Sequence, residues 1–134
     1  MIRYAVSADF EMLKKYEHCI SESDLENSIN ASRILIILEN EVFIGWLRYN
    51  LFWDNTPFMN MLYILDEYRD GGYGSKLVCF WESEMYAKGY TKVMTSTLSN
   101  ECAQFFYRKN GYTDCGSLLL DGEPLEIIFQ KSLI

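Results

Sequence analysis

The stretch YRDGGYGSKL, from Tyr68 to Leu77, contains three glycines in close succession and runs directly into a helix-like pattern. Glycine costs about 0.5–1 kcal/mol relative to alanine inside regular structure, so a cluster of this kind needs a reason. A helix N-terminus presents backbone N–H groups without intrahelical partners, together with the positive end of the helix dipole. The stretch therefore predicts a site for a phosphate or another anion, with Arg69 as a nearby cation and with Gly72 and Gly74 allowing close approach to the backbone.

Two familiar phosphate-binding motifs do not match this loop. A P-loop needs a lysine followed by Ser or Thr at a fixed distance, and the dinucleotide fingerprint needs a glycine where Leu77 stands. The residues from Arg69 to Gly74 instead spell R-x-x-G-x-G. The glycines alone leave one alternative open, a tight strand-to-helix turn without any ligand.

A second block, NECAQFFYRKNGY from Asn100 to Tyr112, carries a tyrosine at helical spacing from an alanine. Read alone, it predicts a helix N-cap at Asn100 and a core-facing side chain at Tyr107. Together, however, the two blocks resemble the signatures of the GNAT superfamily of acetyl-CoA-dependent N-acetyltransferases. ILDEYRDGGYGSKL is similar to that family's segment for the CoA pyrophosphate, with Asp66 where a proline is often found. The second block is similar to its N-x-x-A-x-x-x-Y-x-x-x-G-[FY] segment.

The resemblance implies roles for individual residues. The loop amides would hold the CoA pyrophosphate, with Arg69 supporting the loop and Leu62 and Leu65 lining the pantetheine. The N–H of Ile64 would stabilise the charge on the acetyl oxygen, and Tyr107 would protonate the departing thiolate. The residues implied in cofactor binding are Leu62, Ile64, Arg69, Gly72, Tyr73, Gly74, Ser75, Lys76, Asn100 and Tyr107.

The general base is not identified by either block. An alkyl amine is charged at pH 7 and must lose a proton before it attacks a thioester. Asp54, in the loop before the strand that leads to the glycines, is one candidate and would act through water; Glu67 and Glu39 are others. All three positions are also typical of solvated surface charge. The aromatic run GWLRYNLFWDN, 45–55, predicts either an acceptor pocket or part of the core.

The resemblance implies an acetyl-CoA-dependent enzyme that moves an acetyl group directly to a primary amine of a small molecule or peptide. It implies neither a metal nor a covalent acyl-enzyme, and His18, the only histidine, is expected on the polar side of a helix. The alternative is a CoA-binding sensor or regulatory module on the same fold that has lost turnover. A purely structural domain, which would not bind CoA, is a third interpretation.

Length and composition limit the number of domains, the kinds of partner and the cellular location that we expect. The chain has 134 residues, of which 49% are hydrophobic, and this predicts one domain, 1–134, with a proper core. The formal charge of −7 argues against a nucleic-acid partner. No apolar run is long enough to cross a bilayer and no signal peptide is evident, so we expect a cytoplasmic protein without a membrane partner. The four cysteines form no C-x-x-C pair and are expected to be buried free thiols.

The elements that position these blocks follow from hydrophobic periodicity. Strands are predicted at 2–6, 33–38, 42–51, 58–65, 91–98, 112–120 and 125–133. Helices are predicted from Ser7 or Asp9 to Cys19, and at 21–31, 72–88 and 100–110. The order predicts an α/β (α+β) mixed sheet of about seven strands flanked by about four helices, with parallel pairing across both strand–helix–strand steps. The final strands could pair across a homodimer.

Overall fold

The computed structural model describes all 134 residues and contains seven strands and four helices in the predicted order. The strands are β1 (Ile2–Tyr4), β2 (Ile34–Glu39), β3 (Val42–Phe52), β4 (Thr56–Ile64), β5 (Lys92–Leu98), β6 (Thr113–Leu118) and β7 (Glu126–Ser132). The helices are α1 (Phe10–Lys14), α2 (Glu22–Asn30), α3 (Tyr73–Ala87) and α4 (Ala103–Lys109). The strands form one mixed sheet in the order β1-β2-β3-β4-β5-β7-β6, which confirms the predicted fold class.

The chain divides into two compact units. The N-terminal unit consists of Met1–Tyr49 and Met61–Trp81, and the C-terminal unit consists of Asn50–Asn60 and Glu82–Ile134. In the N-terminal unit, Leu13 of α1 and Leu25 of α2 pack in one cluster with Ile36 and Trp46 of the sheet. On the opposite side of β3, Tyr49 lies 5.8 Å from Trp81 of α3, measured between ring centroids. Both faces of the sheet are therefore covered in this unit, as the unbroken apolar sequence of β2 requires.

The first helix is shorter than predicted, because it ends at Lys14 rather than near Cys19. The cause lies in the tertiary structure: the side chain of Glu17 is fully buried, and its carboxylate accepts hydrogen bonds from Trp46 Nε1 at 2.9 Å and Arg48 Nε at 3.0 Å. His18 therefore follows the helix instead of lying on its polar side, so that prediction is wrong.

The starts of the helices agree with the prediction only in part. Ser21 caps α2, since its hydroxyl accepts a hydrogen bond from the Asp24 amide at 3.0 Å. Asp9 is the N-cap residue of α1, one of the two predicted positions, but its side chain makes no capping bond. Its carboxylate accepts from the Val6 amide and from the Arg3 guanidinium instead. The N-cap of α4 is Cys102, so the predicted N-cap at Asn100 is wrong.

Glycines follow the ends of two helices, at the positions directly after the predicted ranges 72–88 and 100–110. Gly89 and Gly111 have φ angles of 97° and 93°, the left-handed conformation that a C′ glycine adopts without steric cost. Behind Gly111, the Tyr112 amide donates to the Tyr107 carbonyl at 3.0 Å, which closes the end of α4.

One of the two predicted parallel pairings is confirmed and the other is wrong. Strands β4 and β5 are parallel and pair Phe58 with Met94 and Met59 with Thr95. Strand β6 does not pair with β5, because β7 lies between them and is antiparallel to both. The reason is hydrophobic content: β7 buries Ile127 and Phe129, whereas every residue of β6 is exposed, as suits an edge strand.

The four cysteines are free, but all are exposed, so their predicted burial is wrong. Cys115, for example, lies on the wholly exposed strand β6. No helix combines the length and the apolar character needed to traverse a membrane. No group of three or more His, Cys, Asp or Glu side chains is arranged to hold a metal ion.

Candidate functional site

The glycine loop joins β4 to α3 through a short helical turn at Asp66–Tyr68. Asp70 and Gly72 then take positive φ angles of 65° and 81°, and α3 begins at Tyr73. A Cβ atom built on Gly72 would meet no other atom within 4 Å. Gly72 is therefore required for its backbone conformation and not by crowding, and its Cα faces open space that a ligand can enter.

The first turn of α3 supplies unpaired donors. The first amide of this turn that bonds to the chain is that of Lys76, which donates to the Gly72 carbonyl at 3.1 Å. The preceding amides, at Tyr73, Gly74 and Ser75, have no intrahelical acceptor and lie at the positive end of the helix dipole. This is a suitable environment for an anionic oxygen, and the Lys76 side chain beside it is exposed.

Arg69 ties the loop to the end of β4. Its Nε donates to the Ile64 carbonyl at 2.9 Å, and its Nη2 lies 3.2 Å from a carboxylate oxygen of Asp66. The guanidinium carbon also lies 4.8 Å from the centroid of the Tyr63 ring. These contacts hold the loop in place, so the placement of Arg69 suits the supporting role that the sequence implies.

The end of β4 lies unusually close to β3 at Gly45. A Cβ atom on Gly45 would come within 2.5 Å of the Tyr63 carbonyl oxygen and 2.7 Å of the Ile64 side chain. The Leu65 amide donates to the Ile44 carbonyl at 2.8 Å just beyond this point. The backbone of Ile64 is thus held by a neighbouring strand that only glycine allows to approach.

We expect Gly45→Ala to lower the free energy of unfolding by about 1–3 kcal/mol, the usual cost of overpacking a close contact. Urea unfolding measures this loss, and hydrogen exchange at Tyr63–Leu65 should become faster because the strand end must move. Gly116→Ala, where a Cβ atom meets nothing within 4 Å, is the control. Equal stability of the two variants would contradict the close approach at Gly45.

Tyr107 lies in the C-terminal unit and is 7% exposed. Its ring packs against those of Tyr112 and Phe129, both at 5.8 Å between centroids. Thr95 interacts with the Tyr107 hydroxyl, and its Oγ1 donates a hydrogen bond to the Met59 carbonyl at 3.0 Å.

Burial raises the pKa of the Tyr107 hydroxyl above its ordinary value. The charge of Glu101 adds to this rise, and the interaction with Thr95 opposes it. The phenol consequently keeps its proton throughout the neutral range. The predicted core-facing position of Tyr107 is confirmed by its burial. Burial alone does not test its predicted catalytic role, the protonation of the departing thiolate.

The remaining predicted residues are placed as follows. Leu62 and Ile64 are half-buried and belong to the N-terminal unit, as do Arg69 and the glycine loop. Asp54 and Asn100, like Tyr107, belong to the C-terminal unit, and both are exposed. Asp54 lies at the tip of the β3–β4 hairpin, where Trp53 and Asp54 have φ angles of 53° and 63°, typical of a two-residue turn.

A cavity of about 490 Å³ in the N-terminal unit was not located by sequence reasoning. Its walls come from three separate parts of the chain: the segment 15–19 after α1, Trp46 of β3, and the end of β4 with the turn that follows. His18 lines it, with Nε2 at 2.7 Å from the Lys15 carbonyl. The only sequence signal was the aromatic run 45–55, which contributes Trp46.

A second cavity, of about 390 Å³, lies in the C-terminal unit. Phe52 and Phe58 line it together with Ser96 of β5 and Ile128 of β7. The aromatic run 45–55 therefore contributes to cavities through Trp46 and Phe52 and to the buried core through Leu47 and Tyr49. The two alternatives predicted for this run, an acceptor pocket or part of the core, therefore each describe only some of its residues.

Comparison with known proteins gives a consistent result. Residues 3–112 match the model of the Acetyltransferase (GNAT) family. A GNAT family acetyltransferase from Bacillus cereus ATCC 10987 is 26% identical and has a TM-score of 0.78, over 98% of this chain and 96% of that chain. No curated protein gives a significant match.

Two further solved structures share the fold at lower identity. The PaiA N-acetyltransferase from Thermoplasma acidophilum, in complex with coenzyme A, is 22% identical with a TM-score of 0.81 and covers 98% of each chain. The N-acetyltransferase from Staphylococcus aureus Mu50 is 17% identical with a TM-score of 0.84, over 99% of this chain and 97% of that chain.

Proposed function

Since the chain belongs to the GNAT family of acetyltransferases, we propose that it transfers an acetyl group from acetyl-CoA to a primary amine of a small molecule or peptide. The observation that supports this best is the start of α3. Unpaired amides there adjoin open space at Gly72, whose φ of 81° favours glycine. This arrangement fits a diphosphate, because a helix N-terminus and bare backbone are what an anionic group requires.

In this proposal the amides at 72–76 hold the CoA diphosphate, and Arg69 keeps the loop in place through the Ile64 carbonyl and Asp66. Leu62 lines the path of the pantetheine, and Asn100 adds a polar contact to CoA. The co-substrate is acetyl-CoA. The thioester that it supplies makes the acetyl carbon reactive enough for an amine to attack directly.

The reaction forms a C–N bond between the amine and the acetyl carbon and breaks the C–S bond of the thioester. The Ile64 amide stabilises the negative charge that develops on the acetyl oxygen. Tyr107, whose raised pKa keeps it protonated at neutral pH, donates the proton that the sulfur requires as it leaves. Asp54 is our proposed acceptor, through water, for the proton that the ammonium group loses before it attacks. The second proton, which the nitrogen loses as the amide forms, restores Tyr107.

The test is a titration with acetyl-CoA, followed by calorimetry and by the shift in unfolding temperature. A ligand present at 100 times its Kd adds about 2.7 kcal/mol of stability, so binding to the wild type is easily seen. We expect Gly72→Val to abolish this response, because a β-branched residue cannot keep a φ near 81°.

Gly122→Val is the matched control. Gly122 has a φ of 76°, and a Cβ atom there also meets nothing within 4 Å, so the backbone strain is the same while the site is distant in sequence. It should bind acetyl-CoA like the wild type. No response of the wild type at millimolar acetyl-CoA would overturn the proposal, and binding without transfer to any amine would favour the CoA-binding sensor.

A further inference from the structure

The cavity of the N-terminal unit is walled by three aromatic rings. Trp46 lies between Tyr16 and Tyr63, with ring centroids 6.3 Å and 5.3 Å away. Tyr16 and Tyr63 are 40% and 37% exposed, so their rings are accessible to a ligand, whereas Trp46 is 2% exposed and forms the floor. Aromatic faces arranged around a small volume attract an ammonium group.

The wall is held rigid from behind. The buried carboxylate of Glu17 accepts from Trp46 Nε1 at 2.9 Å and, through its other oxygen, from the Cys19 amide at 3.3 Å. Glu17 thus connects the floor of the cavity to the segment that carries His18. A cavity with fixed walls binds a ligand without the cost of ordering its own side chains.

The cavity is lined by two carboxylates, of which only one is in an ion pair, and by one lysine. Asp66 is paired with Arg69 at 3.2 Å, whereas Glu67 forms no ion pair and is exposed. Lys15 also lines the cavity and is a cation. One ammonium group therefore finds one uncommitted carboxylate, and a second ammonium on the same ligand would meet Lys15 without a partner of its own.

The cavity adjoins the end of β4. Met61, Tyr63 and Leu65 line it at the two-residue spacing of a strand face, and Tyr63 and Leu65 are the direct neighbours of Ile64. Its volume of about 490 Å³ is in the range of small-molecule sites. A ligand held there lies next to the backbone group to which we assign the acetyl oxygen.

We propose that this cavity is the acceptor site and that it takes a small monoamine carrying an aryl or other apolar group, in preference to amines with several charges. The inference rests on the proposed function, because it identifies the acceptor of the same reaction. Glu67 binds the ammonium group, and the rings of Tyr16 and Tyr63 enclose the carbon atoms next to it.

The experiment compares 2-phenylethylamine with spermidine as acceptors at saturating acetyl-CoA, with the acetylated products measured by chromatography. We expect kcat/KM of the wild type to be at least about tenfold higher for 2-phenylethylamine, since one unpaired ammonium group disfavours the polyamine by that order. Glu67→Gln and Tyr16→Leu should each raise KM for 2-phenylethylamine about tenfold, with the Kd of acetyl-CoA unchanged. Glu123→Gln, an exposed carboxylate of the β6–β7 loop, is the matched control and should behave like the wild type.

Direct calorimetric titration with 2-phenylethylamine separates this inference from the proposed function. Binding to the wild type that weakens in Glu67→Gln and not in Glu123→Gln supports the cavity even if no acetyl group is transferred, in which case the enzyme activity is what fails. Acetyl-CoA binding and turnover of other amines, without binding of 2-phenylethylamine, would overturn the inference and leave the acetyltransferase intact. A preference for spermidine, or equal KM values in all variants, would also overturn it.

Discussion

Tyr107→Phe is expected to lower kcat about a hundredfold, the lower end of what a positioned general acid contributes. The substitution removes only the hydroxyl, so the ring contacts with Tyr112 and Phe129 remain. The Kd of acetyl-CoA should not change, and the free energy of unfolding should fall by no more than about 1 kcal/mol, because only the hydroxyl and its interaction with Thr95 are lost. Steady-state kinetics with a saturating amine, together with urea unfolding, measure the two effects.

Tyr112→Phe is the matched control for this prediction. Tyr112 is also buried and donates its hydroxyl hydrogen to Glu82 at 2.8 Å, so its substitution removes a tyrosine hydroxyl from the same cluster. It should lower stability while leaving kcat nearly unchanged. A Tyr107→Phe enzyme with the kcat of the wild type would show that Tyr107 is only a packing residue.

The pH dependence of Tyr107 follows from the direction of its pKa shift. Burial raises the pKa, so the hydroxyl carries its proton below the ordinary tyrosine value of about 10 and loses it only at higher pH. We therefore expect no basic limb from this residue in the kcat profile below about pH 10. A limb near neutrality that disappears in Tyr107→Phe would contradict this assignment.

Glu17→Ala is expected to have the largest effect on stability, a loss of about 3–5 kcal/mol in the free energy of unfolding. The side chain of Arg48 is 8% exposed, and without Glu17 its charge would remain buried without that partner. The indole N–H of Trp46 would lose its acceptor as well. Urea unfolding, followed by circular dichroism, measures the loss.

Two further variants make this second prediction specific. Glu11→Ala removes an exposed carboxylate that lies 3.5 Å from Lys14, and it should change stability by less than about 0.5 kcal/mol. The double variant Glu17→Leu with Arg48→Met should be more stable than Glu17→Ala, because neither charge is then left buried alone. If Glu17→Ala were as stable as Glu11→Ala, the buried pair would contribute nothing to the fold.

Features that depend on neighbouring residues could be read from the sequence. The order of strands and helices follows from hydrophobic period, and the positive φ angles of Gly72, Gly89 and Gly111 follow from local turn chemistry. The glycine loop is also local, since its donors belong to consecutive residues. For this reason the candidate CoA loop is recognisable from the sequence alone.

Features that depend on residues distant in sequence could not be read from the sequence. The position of β7 between β5 and β6 is decided by which strand has more apolar surface to bury, and not by the pattern of either strand. The early end of α1 is decided by Glu17, whose partners Trp46 and Arg48 lie about thirty positions further along the chain. Helical periodicity carries no information about such a partner.

The sequence by itself determined the family signatures, the order of the elements and the loop that we assign to CoA, because each is written in contiguous residues. Only the tertiary structure decided what surrounds them: the packing of Tyr107 against Tyr112 and Phe129, and the cavity that joins Tyr16, Trp46 and Glu67. The physical reason is that a cavity is defined by the packing of side chains from separate segments. That packing depends on burial and charge pairing across the fold, which no single segment specifies.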